Sequence, residues 1–196
     1  MLQPVNKQYE FKGAPTLVDG LKGNGNYKTG RWIAFYKNDM EAVIDMQQPT
    51  EISSASISTC VEKGDWVFDA RAFSVAVSED GKNFKEIASE KYPAMKQDDK
   101  NGVFNHTLTF DPVTARYVKV TALAEHSIPA WHGGKGNPAF LFVDEISLID
   151  SYIQIMTVCQ KCDRVPLGVR WNASVHMRKE CCVCVGAIRF WGKRDG

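Results

Sequence analysis

A chain of 196 residues with 44% hydrophobic content can bury one good core and carry an appendage. The formal net charge of +1 is unevenly placed: residues 151–196 hold eight Lys/Arg against three acids, which leaves 16 of the 24 basic and 20 of the 23 acidic residues in the body. A mildly acidic body excludes the basic face that a nucleic-acid footprint needs, and the tail has no dense Lys/Arg run to serve as a nucleic-acid or membrane patch. No apolar run reaches the roughly 18 residues of a membrane span. Residues 1–10 lack the charged and apolar regions of a signal peptide. A role outside the cytoplasm therefore implies a piece of a longer protein.

The first informative segment is Thr16-Leu-Val-Asp-Gly20, which opens a Gly/Asn-rich loop running to Thr29. Glycines let carbonyls turn inward, Asp19 supplies a hard carboxylate and Thr29 a hydroxyl; calcium takes about 6–8 oxygens of this mixed kind. The alternative is a solvated loop. Gly23-Asn-Gly25 is no phosphate cradle, because neither Gly-Lys-Ser/Thr nor a helix follows. Trp32 reads as core, with Tyr36 and Lys37 beyond it.

The body then reads as short strands between turn signals, with no convincing helix. Residues 41–46 begin and end in alternation, and Cys60 follows an alternating stretch as a small buried residue. Trp66, in Lys63-Gly-Asp-Trp66, is either core or an exposed aromatic. Residues 73–78 alternate large apolar with small side chains and meet Asp80-Gly81, a hairpin signal. Residues 96–102 read as a solvated loop. Residues 116–121 put Val118 and Val120 on one face, Lys119 and Thr121 on the other. Strands at this spacing predict an antiparallel β-sandwich of about eight strands.

The stretch 128–148 carries most of the functional signal. A Gly/Pro loop holding Trp131 and His132 runs into an apolar strand with the adjacent acids Asp144 and Glu145. A ring that stacks on a pyranose and an imidazole that bonds a hydroxyl suit sugar recognition, and Lys135 and Asn137 share the loop. Trp131 as a core residue is the competing reading. As neighbours on a strand, Asp144 and Glu145 are expected to point to opposite faces, which rules them out as a glycosidase pair. No metalloprotease or nucleophile-elbow motif occurs; Cys60 with His106 or His126 is the one remaining nucleophile combination. Asn105-His-Thr107 and Asn172-Ala-Ser174 are sequons where the host glycosylates secreted proteins.

After residue 150 the style changes. Cys159 and Cys162 have zinc-knuckle spacing, with Cys181, Cys182, Cys184 and His176 downstream. Structural zinc on Cys159, Cys162, Cys181 and Cys184, a disulfide, and no organised role all stay open. The expected division is a module over 1–150 and a Cys-rich basic extension over 151–196.

Taken in order, Thr16-Leu-Val-Asp-Gly20, Gly30-Arg-Trp32, Val43-Ile-Asp-Met46, Gly64-Asp-Trp-Val-Phe68, Val77-Ser-Glu-Asp-Gly-Lys-Asn-Phe84, Ala115-Arg-Tyr-Val-Lys-Val120 and Phe142-Val-Asp-Glu-Ile146 form a register. Over residues 14–149 the chain resembles the discoidin, or coagulation-factor C-type, domain. It is most similar to the galactose-binding-like carbohydrate-binding modules of bacterial glycoside hydrolases, especially chitobiase-like hexosaminidases. The resemblance implies a jelly-roll-like sandwich without catalytic residues. It supports sugar contacts from Trp131 and His132, beside which Trp66, Lys135 and Asn137 are the expected further contacts, with galactose or N-acetylhexosamine termini as ligands. It implies structural calcium on Asp19, Thr29 and Glu145, completed by carbonyls near Leu17, Lys22 and Asn24. The loop to Thr29 is longer than in many relatives, and Phe140 stands where relatives often carry Trp. A catalytic domain is expected upstream in a secreted, periplasmic or cell-surface parent. The other reading is a discoidin-type module for protein or membrane surfaces, with residues 128–131 as its hydrophobic spike.

Overall fold

In a computed structural model, residues 1–149 are described; the expected zinc ligands Cys159, Cys162, Cys181 and Cys184 and the sequon at Asn172 lie outside them. Six strands form one antiparallel sheet: β1 (Ile33–Tyr36), β2 (Met40–Val61), β3 (Ala72–Ser78), β4 (Lys85–Lys91), β5 (Gly102–Leu123) and β6 (Phe140–Ile149), in the order β1-β6-β2-β5-β3-β4. The helical content described is three short 3-10 turns, Lys7–Tyr9, Ala14–Val18 and Lys63–Asp65.

Strands β2 and β5 each run 22 residues, too long for one flat layer. Their pairing breaks between Asp45 and Thr50 and again between Ile52 and Ser54. Pro49 lies at the first break, as does Gln47 with a φ of 66°. Bulges bend a strand and sharpen its twist. Residues 40–45 of β2 pair with 117–122 of β5, which also pairs with β3 and through it β4. Residues 54–61 of β2 pair with 102–109 of β5 and with β6, which carries β1. The six strands therefore make two four-stranded halves, eight segments in all, because two strands serve both halves.

The core lies between these halves. Ile33, Phe35, Leu141 and Val143 from one share a buried cluster with Phe73, Val75, Val118 and Val120 from the other, although no backbone bonds join these strands. The alternation expected for 116–121 holds: Val118 and Val120 are fully buried. A second cluster covers the outer face of the β1–β6 half, where Trp32, Ala34, Cys60 and Phe142 pack with Tyr27 from the 20–32 loop.

Antiparallel pairing gathers the β1–β2 turn and the loops 62–71, 92–101 and 124–139 at one end. The opposite end holds the 79–84 hairpin, where Gly81 adopts a φ of 70°, and the two strand bends. That conformation lies in the left-handed region, which glycine enters freely.

Candidate functional site

The loop 124–139 is held by its own backbone bonds and a small apolar anchor. Ile128 is 2% exposed and packs with Phe68 and Ala139 in a small third cluster. The Ile128 amide donates to the Asn137 carbonyl at 2.8 Å, and the Gly136 amide returns to the Ile128 carbonyl at 2.9 Å. Gly136 sits at a φ of 80°, which makes that closure possible.

Trp131 is half-buried in this frame. Its ring tilts on Phe68 with centroids 6.0 Å apart, and its Nε1–H donates to the Met95 carbonyl at 3.0 Å. His132, expected to bond a sugar hydroxyl, spends both ring nitrogens inside the protein. Its Nε2 lies 2.9 Å from the Lys63 carbonyl, a partner that only an N–H can bond, and its Nδ1 accepts the Gly134 amide at 3.0 Å. The network thus assigns the proton to Nε2. The imidazole is a strut between loops.

Trp66 is half-buried and takes a left-handed backbone, φ 63° and ψ 27°, as the cap of the Lys63–Asp65 turn. Such a conformation is uncommon for a bulky residue. It lays the indole across Gly134, where an added Cβ would stand 2.7 Å from Cε2. Lys135 and Asn137 are exposed beside it; the Asn137 side-chain amide donates to the Gly134 carbonyl at 3.1 Å. Two indoles from loops 65 positions apart, and two exposed polar side chains, thus share one rim.

Sequence reading missed three groups at this end. Lys63 ties the loops together. Arg71 donates to the buried Glu125 at 2.5 Å and to the Tyr92 carbonyl at 3.2 Å. His126 and the Ala124 amide both reach Asp39 Oδ1, each at 2.8 Å. Partners so far apart in the chain leave no local pattern to read.

The expected metal loop is less uniform. A one-residue slip between Ile57/Ile146 and Thr59/Val143 leaves Asp144 and Glu145 together opposite Ser58. This bulge overturns the expectation that the two acids face opposite sides. The Gly20 amide donates to Glu145 Oε2 at 3.1 Å and the Gly23 amide to Asp144 Oδ2 at 2.6 Å. Burial, ahead of the charges of Asp19 and Asp144, pushes the Glu145 carboxyl up; burial likewise raises Asp144, against the Gly23 bond. Neither acid has an ion-pair partner among the described residues. Thr16, 2% exposed, carries a hydroxyl with no hydrogen-bond partner.

The other expected ligands of the loop are engaged. Asp19 Oδ1 accepts the Leu21 amide, and the carbonyls of Lys22 and Asn24 accept Arg31 Nη1 and Trp32 Nε1. Thr29 turns its hydroxyl onto the Asn26 carbonyl at 3.0 Å. Among the described residues no three His, Cys, Asp or Glu side chains gather closely enough to hold a metal by themselves. A cation here would need carbonyl oxygens as well as carboxylates, the donor set that calcium accepts.

The nucleophile combination is not assembled. Cys60 is fully buried, and burial pushes its thiol up to about 11. His106 bonds Asp69 at 2.7 Å and His126 bonds Asp39.

The F5/8 type C domain model matches residues 5–139, more than half of the chain. The chain belongs to the F5/8 type C domain family. No curated protein matches it. Among solved structures it is similar to CpGH89CBM32-5 from Clostridium perfringens, in complex with GalNAc-β-1,3-galactose, at 21% identity and a TM-score of 0.38, over 57% of this chain and 66% of that one. It is also similar to a pectin-binding carbohydrate-binding module, at 19% identity and a TM-score of 0.43, over 77% and 92%. A third is CBM32-1 from a family 31 glycoside hydrolase of Clostridium perfringens, at 18% identity and 0.43, over 69% and 82%. In this F5/8 type C domain no described helix is long and apolar enough to cross a membrane.

Proposed function

We propose that this F5/8 type C domain is a non-catalytic carbohydrate-binding module. It binds glycans at the end formed by the loops 62–71, 92–101 and 124–139, and holds an attached glycoside hydrolase near its substrate. The observation that carries the reading is the shared rim of half-exposed Trp66 and Trp131 with exposed Lys135 and Asn137. An indole offers a flat apolar face to the axial hydrogens of a sugar, and neighbouring amide and ammonium groups bond its hydroxyls. One or two rings and a few hydroxyl bonds give an affinity on the order of micromolar to millimolar, raised by avidity in a multimodular enzyme. His132 acts by positioning.

Calcium belongs to the same reading, in a structural role. Asp19 and Glu145, with the carbonyls of Lys22 and Asn24, would hold it; the raised Glu145 carboxyl, which has no ion pair among the described residues, and the Thr16 hydroxyl support that donor set. When bound, the ion supplies charge compensation to the acids below the loop. Thr29 points elsewhere.

The alternative is a module for protein or membrane surfaces. Its spike would be residues 128–131, but Ile128 is buried and Trp131 half-buried, so that loop offers little apolar surface. A glycan array run beside liposome sedimentation tests the choice: retention on glycans without pelleting is expected, and pelleting without retention would reverse it.

A further inference from the structure

The polar knot under the two indoles centres on Lys63, which is half-buried. Its Nζ donates to the Gln97 carbonyl at 2.9 Å and to the Asp99 carbonyl, and lies 5.6 Å from the centroid of the Trp131 ring. Its amide donates to Asn101 Oδ1 at 3.2 Å, and Asn101 in turn donates to Glu62 at 2.6 Å. Its carbonyl accepts the Trp66 amide at 3.0 Å and His132 Nε2–H at 2.9 Å. No carboxylate pairs with it among the described residues.

One residue thus reaches all three long loops of the rim. Its charge is satisfied by backbone carbonyls of the 92–101 loop, and its own backbone fixes Trp66 and His132. Charge-assisted bonds of this kind are stronger than neutral ones and hold a loop that has little apolar anchorage. Residues 96–101 are exposed throughout, so packing does not hold them.

We propose that Lys63 is the positioning residue of the binding rim: it orders the 92–101 loop against Trp131 and sets the angle between the two indoles without touching the ligand. Its effect on binding rests on the glycan-binding reading; its effect on loop order does not. A binding site works only when its contact residues are held by others whose own conformations are fixed.

The test uses the full chain as wild type, Lys63→Met and Lys63→Arg. Lys63→Met keeps the aliphatic stem and loses the ammonium. Trypsin is expected to cut after Lys96 or Lys100 roughly tenfold faster in this variant, because the loop opens more often. Its affinity for a glycan that binds the wild type is expected to fall roughly tenfold, because the rim is held in its binding arrangement less of the time. Lys63→Arg is expected to restore both. In the wild type alone, an amine-acylating ester mapped by mass spectrometry should label Lys63 roughly tenfold more slowly than Lys96, Lys100 or Lys135, whose amines are solvated. This measurement stands even if Lys63→Met does not fold. Unchanged cleavage, or labelling of Lys63 at the rate of its neighbours, would overturn the proposal. A wild type that binds no glycan would defeat the binding reading, while cleavage and labelling would still decide the role of Lys63.

Discussion

Asp144 and Glu145 are neighbours on β6, yet both carboxylates accept amides from one loop, Gly23 at 2.6 Å and Gly20 at 3.1 Å. The bulge opposite Ser58 makes this possible. Two buried acids with no ion pair among the described residues are costly, and a bound cation would offset that cost.

Calcium is therefore expected to raise the melting temperature. A ligand bound only by the folded state stabilises it by about 2.7 kcal/mol at a hundredfold excess over its dissociation constant. Asp19→Ala and Glu145→Ala should each remove the gain. Identical melts with calcium and with chelator would refute the site.

Trp66 and Trp131 should separate binding from stability to different degrees. Trp66→Gly removes a ring from the rim and relieves a left-handed backbone at φ 63°. The relief of roughly 1–2 kcal/mol offsets part of the lost packing on Gly134, so the melt should move little while glycan binding disappears. Trp131→Ala loses binding as well, and also costs about 1–3 kcal/mol through the Phe68 contact and the unpaired Met95 carbonyl. Calorimetry and glycan binding measured on the same two proteins check both. A Trp66→Gly protein that binds normally would remove Trp66 from the site.

Two glycine substitutions give a matched contrast. A Cβ on Gly134 would stand 2.7 Å from Trp66 Cε2 and 3.2 Å from His132 Nδ1. Gly134→Ala should push the half-exposed indole aside, costing about 1–3 kcal/mol and weakening binding. A Cβ on Gly23 would collide with the ring of Trp32, which is fully buried and cannot move. Gly23→Ala should disrupt the second cluster and lower the melt further than Gly134→Ala does. The reverse order would show that Trp32 is not locked.

The 79–84 hairpin has its own pH signature. Asp80 accepts the amides of Asn83 and Lys82, the Ser78 hydroxyl and the Asn83 side chain, and those bonds hold its carboxyl well below the usual range, amides first. A depressed acid contributes stability that is present above its unfolded value and lost as pH falls through its folded one. Asp80→Ala should therefore melt below wild type at neutral pH, and the gap should close as pH falls below about 4. A gap that does not change with pH would mean that the contribution is not the carboxylate's.

Much of the fold was legible in the sequence. The alternation of 116–121, the Asp80-Gly81 turn and the ordered motifs led to the family and to a sandwich, because burial on one face of a strand imposes a period of two. The continuity of β2 and β5 through both halves was not legible, since a bulge needs no signature residue. It changes the number of strands from about eight to six. At the rim, Trp131 and His132 were found by residue type, but their hydrogen bonds run to Met95 and Lys63, 36 and 69 positions away. Local pattern cannot show that an imidazole is already spent, or that Lys63 holds the loop that sequence read as merely solvated.

On the proposed function, glycans bind at the end formed by the 62–71, 92–101 and 124–139 loops. The most direct measurement is a titration of the isotope-labelled chain, in calcium, with the glycan retained most strongly on an array, followed by amide and indole nuclear magnetic resonance. Saturable shifts are expected at the indole N–H signals of Trp66 and Trp131 and at the amides of 132–137, with the 79–84 hairpin unmoved. Shifts confined to the hairpin end, or saturation that leaves both indoles unchanged, would contradict it.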